Sequence, residues 1–248
     1  MADIEIHTQA LKIPNGSLQI DAYLAVPSEP GPYPAVIVWQ EIFGVNAHIR
    51  NVTERIAQLG YVAIAPAIYQ RQAPGFEVGY SPEEVELGRQ YKIQTTATEL
   101  LSDAQATIDM LHTLEQVQND CIASIGFCFG GHVAYLVATL PAIAATAVFY
   151  GAGIATLTPG GGPPTLTRTP EIKGTLYGFF GNQDVLIPNP EVDQIRQVLQ
   201  EAGVEHRITQ YPARHGFFCD QRDSYQPTAA ADAWQQFQEL LAGTFANR

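Results

Sequence analysis

Residues 121–131 read CIASIGFCFGG. The first part is an apolar and small run of the kind that forms a strand buried on both faces. The small and apolar residues of 129–139 continue as a helix. Between the two lies Gly126-x-Cys128-x-Gly130, with Gly131 directly after. A tight strand-to-helix turn needs small residues around it, because side chains there would collide with the neighbouring elements. Such a turn lifts its middle side chain above the carboxyl edge of the sheet, where ligands bind in open α/β sheets. The stretch predicts an α/β fold with a strand over 121–126, a helix over 129–139 and Cys128 at the apex between them.

The rest of the chain fits that frame. Upstream, IEIHTQALKI and SLQIDAYLAV flank Asn15-Gly16, the strongest short signal for a hairpin. AVIVW (35–39) and YVAIAP (61–66) read as buried strands, and Ile49, Val52, Ile56 and Leu59 mark an amphipathic helix between them. Residues 66–95 read as an excursion carrying a short helix. A helix around 97–117 precedes the strand at 121. Downstream come a strand in AIAATAVFYG, a long loop over 151–174 and a strand in GTLYGFFGN. A helix over 190–202, a strand in VEHRITQYP and a last helix over 226–245 follow. Strands alternating with helices give a mostly parallel sheet with helices on both faces, here with an N-terminal antiparallel hairpin. We expect one domain over 1–248.

Composition excludes several classes. Of the 248 residues 46% are hydrophobic, which argues against disorder, and the formal net charge of −12 argues against nucleic-acid or anionic-membrane partners. Three cysteines, an odd and sparse count, do not suit a secreted disulfide framework. The N-terminal ten residues have neither a basic nor an apolar segment of a signal peptide, and no run is apolar enough to span a membrane. The reading is a reduced, cytoplasmic protein acting on a small molecule, without an obligate protein partner. No HxH or HExxH pair appears, so no metal site is expected.

Cys128 sits where a helix N-terminus would favour a thiolate and an oxyanion; a buried, inert cysteine is the alternative. A nucleophilic thiol wants a base, and the base an orienting carboxylate. Asp184 follows the strand of GTLYGFFG and His215 follows the next one. The chain order nucleophile, acid, histidine is the one expected of this architecture. Three such residues, each just past its own strand at one sheet edge, predict a Cys128–Asp184–His215 triad. His7, His48, His112, His132 and His206 lack that setting and read as structural or solvent-facing. Cys121 reads as buried and inert, and Cys219 as ambiguous. After the strand at 35–39 comes QEIFGVN (40–46). The Ile42 backbone N–H is a candidate to pair with that of Phe129 as an oxyanion hole. From position alone Glu41 reads as a loop carboxylate facing water.

Together QEIFGVN, YQRQAPG, GFCFGG, GNQDVLIP and RHGFF resemble the dienelactone hydrolases (carboxymethylenebutenolidases) of the α/β-hydrolase superfamily, over roughly 15–245. The resemblance implies an α/β-hydrolase fold and hydrolysis of a carboxylate-bearing enol-lactone. It implies a cysteine nucleophile and no metal or organic cofactor. It makes Glu41 a functional residue that contacts the resting thiol. It implies Tyr91 and Tyr150 as residues lining the pocket, with aromatic packing as the alternative for both. The pattern departs where the family carries two arginines, because those positions hold Leu87 and Cys219. Arg89 and Arg222, displaced by two and three positions, are the candidate substitutes for binding a substrate carboxylate. Arg71 is expected to serve loop structure. A broad carboxylesterase or thioesterase on the same triad is the second reading, and a non-catalytic binding protein or thiol sensor the third. A sensor needs no orienting Asp184, which weighs against it.

Overall fold

Gly16 and Ser17 turn the chain between β1 (Ile6–Asn15) and β2 (Leu18–Pro27), with Asn15 opposite Leu18 and Gly16 at φ 60°. A two-residue loop of this kind needs positive φ at its first position, which Gly16 supplies at little steric cost. The computed structural model describes residues 4–246. The absence of a signal segment, read from the first ten residues, falls partly on 1–3, outside the described residues.

The hairpin forms one edge of an eight-stranded sheet. Its other strands are β3 (Tyr33–Trp39), β4 (Val62–Pro66), β5 (Val117–Phe127), β6 (Ile143–Phe149), β7 (Thr175–Gly181) and β8 (His206–Tyr211). The order is β1-β2-β4-β3-β5-β6-β7-β8, antiparallel at β1/β2 and β2/β4 and parallel throughout the rest. All five residues of β4 are buried, so helices or loops cover both faces there. The helices are α1 (Ala47–Ala57), α2 (Pro82–Lys92), α3 (Ala97–His112), α4 (Phe129–Val137), α5 (Asn189–Glu201) and α6 (Pro227–Phe245). Among the described residues no helix is long and apolar enough to cross a membrane.

Local chemistry explains the helix starts. Asn46 caps α1 by accepting from the Ile49 N–H, and Ser81 and Thr96 open α2 and α3 with reciprocal capping boxes. Ile49, Val52 and Ile56 face inward as their spacing predicts. The buried Trp39 indole N–H donates to Ser124 Oγ at 2.8 Å and ties β3 to β5. Arg71 grips the buried Asp103 with both guanidinium arms, and Asn15 donates to the same carboxylate at 2.7 Å. Arg71 therefore holds the excursion and the hairpin turn to α3, the structural role expected of it.

Two boundaries differ from expectation. The helix predicted to 117 ends at His112, and β5 begins at Val117, so Cys121 lies inside the strand. Val117 already pairs with Tyr33 before a register shift and a positive φ at Asp120. This irregular first stretch carries no clean alternation for a sequence reading to follow. The loop at 151–174 contains a short 3-10 turn, Thr165–Glu171.

Candidate active site

Cys128 occupies the turn from β5 into α4 with φ 55° and ψ −117°. The crowding that forces this turn is visible at its glycines. A Cβ on Gly126 would lie 1.9 Å from the Gly130 carbonyl oxygen, and one on Gly130 would lie 2.3 Å from the carbonyls of Trp39 and Gln40. The turn thus presses the start of α4 against the end of β3. A non-glycine residue at positive φ carries strain of about 1–3 kcal/mol. Replacing Cys128 by glycine releases that strain but frees the unfolded chain. We expect Cys128→Gly to be about 1 kcal/mol more stable than Cys128→Ala in thermal or urea unfolding.

Asp184 follows β7 and His215 follows β8, and the two meet with Nδ1 2.7 Å from Asp184 Oδ2. The other Asp184 oxygen accepts from the Leu186 backbone N–H at 2.8 Å. An ionised carboxylate only accepts, so Nδ1 carries the proton and Nε2 is the catalytic nitrogen. Nε2 is buried without a hydrogen-bond partner, and the Cys128 sulfur is close enough to act on it electrostatically. Burial alone would lower the His215 pKa. Negative charge at the Cys128 sulfur and on Asp184 outweighs burial and raises it to about 10. Tyr150, at the end of β6 with φ 38°, packs edge-on against the imidazole at 5.2 Å between ring centres. Burial pushes its phenol pKa well up, so it stays protonated, and its hydroxyl has no partner among the described residues.

Glu41 does not face water. It is 1% exposed, and its Oε1 accepts from Arg222 Nη1 at 3.0 Å while Oε2 has no partner. A loop carboxylate becomes buried here because Arg222 folds back over Gly216 to neutralise it. A Cβ on Gly216 would stand 2.4 Å from the Arg222 guanidinium. The guanidinium lies 5.7 and 5.8 Å from the ring centres of Phe43 and Tyr80. Arg222, His215, Tyr80, Val185 and Leu186 line one open cleft of about 510 Å3.

The structure brings together Cys128, Asp184, His215, Glu41, Arg222 and Tyr150. The Ile42 and Phe129 N–H groups follow the ends of β3 and β5, and neither donates to a backbone carbonyl among the described residues. Arg89 and Tyr91 approach the turn from α2, on the side of Phe129. Arg89, 56% exposed, lines a second cleft of about 440 Å3 with Lys92, Ile93 and Leu157. Tyr91 packs edge-on against Phe76 and beside Tyr69, which stacks on Phe129. Of the remaining histidines, His132 is buried and bonded at both ring nitrogens, to the Ala152 carbonyl and to Thr165 Oγ1, and is structural. Sequence reasoning missed Tyr80, whose hydroxyl accepts from the Cys219 thiol at 3.3 Å and from Asn46 at 3.1 Å. No spacing rule announces a contact between positions so far apart in the chain.

The sequence pattern of the Dienelactone hydrolase family matches residues 20–245. A Synechocystis protein provisionally named a carboxymethylenebutenolidase is 57% identical over 239 residues, covering 96% of this chain and 97% of its own. A Yersinia pestis relative of the same provisional name is 33% identical, covering 93% and 86%. A Klebsiella pneumoniae crystal structure, provisionally named a dienelactone hydrolase, superposes with a TM-score of 0.87 at 31% identity. It covers 96% of this chain and 99% of its own. With its sheet order, its cysteine turn and these relatives, the chain belongs to the dienelactone hydrolase family.

Proposed function

We propose that this protein hydrolyses a carboxylic ester or enol-lactone through an acyl-enzyme on Cys128, within one domain spanning the chain. The observation that carries the reading is the buried His215, held by Asp184 on one nitrogen and turned with the other toward the cysteine of a strained turn. His215 holds the proton that the thiol gives up, and the sulfur attacks the carbonyl carbon. The carbonyl oxygen collects negative charge at the Ile42 and Phe129 N–H groups. The C–O bond breaks, and the imidazolium protonates the leaving enolate or alkoxide. Water, deprotonated by His215, then releases the acid and regenerates the thiol.

Glu41 and Arg222 set the charge beside the sulfur. Arg222 favours a thiolate, and Glu41 moderates it by neutralising the guanidinium. Alkylation of Cys128 by iodoacetamide, a neutral reagent, should therefore quicken at pH 7 in Glu41→Gln and slow in Arg222→Ala. Equal rates in all three proteins exclude this role.

The substrate's charge is read in the same cleft. A substrate carboxylate competes with Glu41 for Arg222, whereas Arg89 lies in the other cleft. A forked arginine–carboxylate contact is worth roughly 1.5–3 kcal/mol, or about 10- to 150-fold in kcat/KM. Arg222→Ala should lower the ratio of kcat/KM on a carboxylate-bearing dienelactone to that on its neutral ester by at least about tenfold. Arg89→Ala should leave the ratio unchanged. The resting engagement of Arg222 by Glu41 also favours a second reading, a broad carboxylesterase on neutral esters. An unchanged ratio in Arg222→Ala selects it.

A further inference from the structure

His48, Cys219 and Asp220 lie outside the catalytic contacts and come from two remote segments, the first turn of α1 and the loop after His215. One ligating atom of each falls within 4.8 Å of those of the other two. Cys219 and His48 are buried, whereas the Asp220 side chain is 67% exposed. Neither ring nitrogen of His48 is hydrogen-bonded among the described residues. Nδ1 stands 4.0 Å from Asp220 Oδ1, too far for a hydrogen bond, and Nε2 is buried without a partner. A buried ring nitrogen without a partner, as Nε2 is, is costly, and few structures retain one. A cleft of about 280 Å3, lined by His48, Phe218, Asp220, Tyr225 and Trp234, opens from the surface onto this cluster.

We propose that His48, Cys219 and Asp220 form a binding site for one thiophilic divalent ion of the Zn2+ class. Imidazole, thiolate and carboxylate are the donors such ions take, at about 2.0–2.3 Å, and water from the cleft completes a four-coordinate shell. Mg2+ and Ca2+, which prefer oxygen donors, are excluded by the same set. Closing the three donors onto one ion needs only small side-chain movements, and the exposed Asp220 is free to make the largest. Binding releases one proton, because the Cys219 S–H bond breaks as the sulfur–metal bond forms. Cys219 now donates to the Tyr80 hydroxyl, which Asn46 also holds. With the thiol ionised, the Tyr80 O–H turns round and donates to the sulfur, supporting the ligand from behind. Arg55 and Arg222 face this region, as do Asp220 and Glu41, so the two guanidiniums are matched by two carboxylates before the thiolate adds its charge. The site is independent of the catalytic reading. It escapes a search for HxH or HExxH spacing because its ligands are 171 residues apart in the chain, from His48 to Cys219.

Co2+ is the probe, titrated into full-length Cys128→Ser protein so that the nucleophile's thiol does not compete. One equivalent should bind with a sulfur-to-cobalt charge-transfer band in the near ultraviolet and release of a proton. The band should vanish in Cys128→Ser/Cys219→Ser, and Zn2+ but not Mg2+ should displace the ion. Asp220→Asn, a surface change that leaves folding intact, and His48→Gln, checked by circular dichroism, should each weaken binding at least about tenfold. No band at millimolar Co2+ overturns the proposal. So does a band that survives loss of Cys219, or an affinity unchanged in both Asp220→Asn and His48→Gln.

Discussion

Cys128→Ala should abolish turnover, by roughly 10^4-fold or more, while the thermal melt stays within a few degrees of the parent. Alanine keeps the Cβ and the strained backbone of the turn, so the change removes only the sulfur. The sulfur is half-buried, and the cavity left is small beside the fully buried aromatic rings around it. What disappears is the atom that attacks. The oxyanion donors and the cleft remain, and they leave residual catalysis over water without a covalent intermediate. Loss of activity together with a collapse of the melt would make Cys128 a structural residue.

Asp184→Asn should lower kcat by about 10^4-fold with little change in stability. The amide presents an N–H to Nδ1 or accepts more weakly from it, so the imidazole loses both its fixed tautomer and the charge that supports its protonated form. The same charges set the pH dependence. His215 is raised to about 10, against the effect of burial, by negative charge at Cys128 and Asp184. Its proton is needed for the leaving group, so activity persists below that value and falls as pH rises through it. Removing the Asp184 charge removes a raising influence, and the alkaline limb of the kcat/KM profile should move to lower pH. His215→Ala should match Asp184→Asn in size or exceed it. The double variant should lose little more than the worse single one, because the residues act as a unit. Additive losses would show two separate roles.

The site was legible where it depended on the ends of strands. Cys128 and Asp184 each follow an apolar run that reads as a buried strand, His215 follows the mixed edge strand β8, and parallel strands bring their carboxyl ends to one edge. The fold was legible for the same reason, since the alternation of buried strands and amphipathic helices is strong. What escaped notice depends on side chains reaching across the fold. Arg222 joins Glu41 only because the loop after His215 bends back over Gly216, and that bend has no periodicity. Its consequence is a buried Glu41 where position alone indicated an exposed one. The boundary between α3 and β5 was misplaced because the first residues of β5 are irregular and partly exposed. Arg89, on α2, lines a cleft that Phe129 also lines, and Arg222 lines another.

In the proposed reaction Cys128 carries the acyl group. Intact-protein mass spectrometry after mixing with a slowly deacylating ester tests it most directly, followed by peptide mapping. One acyl adduct per chain is expected, on Cys128, formed at the rate of the product burst and absent from Cys128→Ala. An adduct confined to Cys121 or Cys219, with Cys128→Ala still turning over substrate, would contradict it.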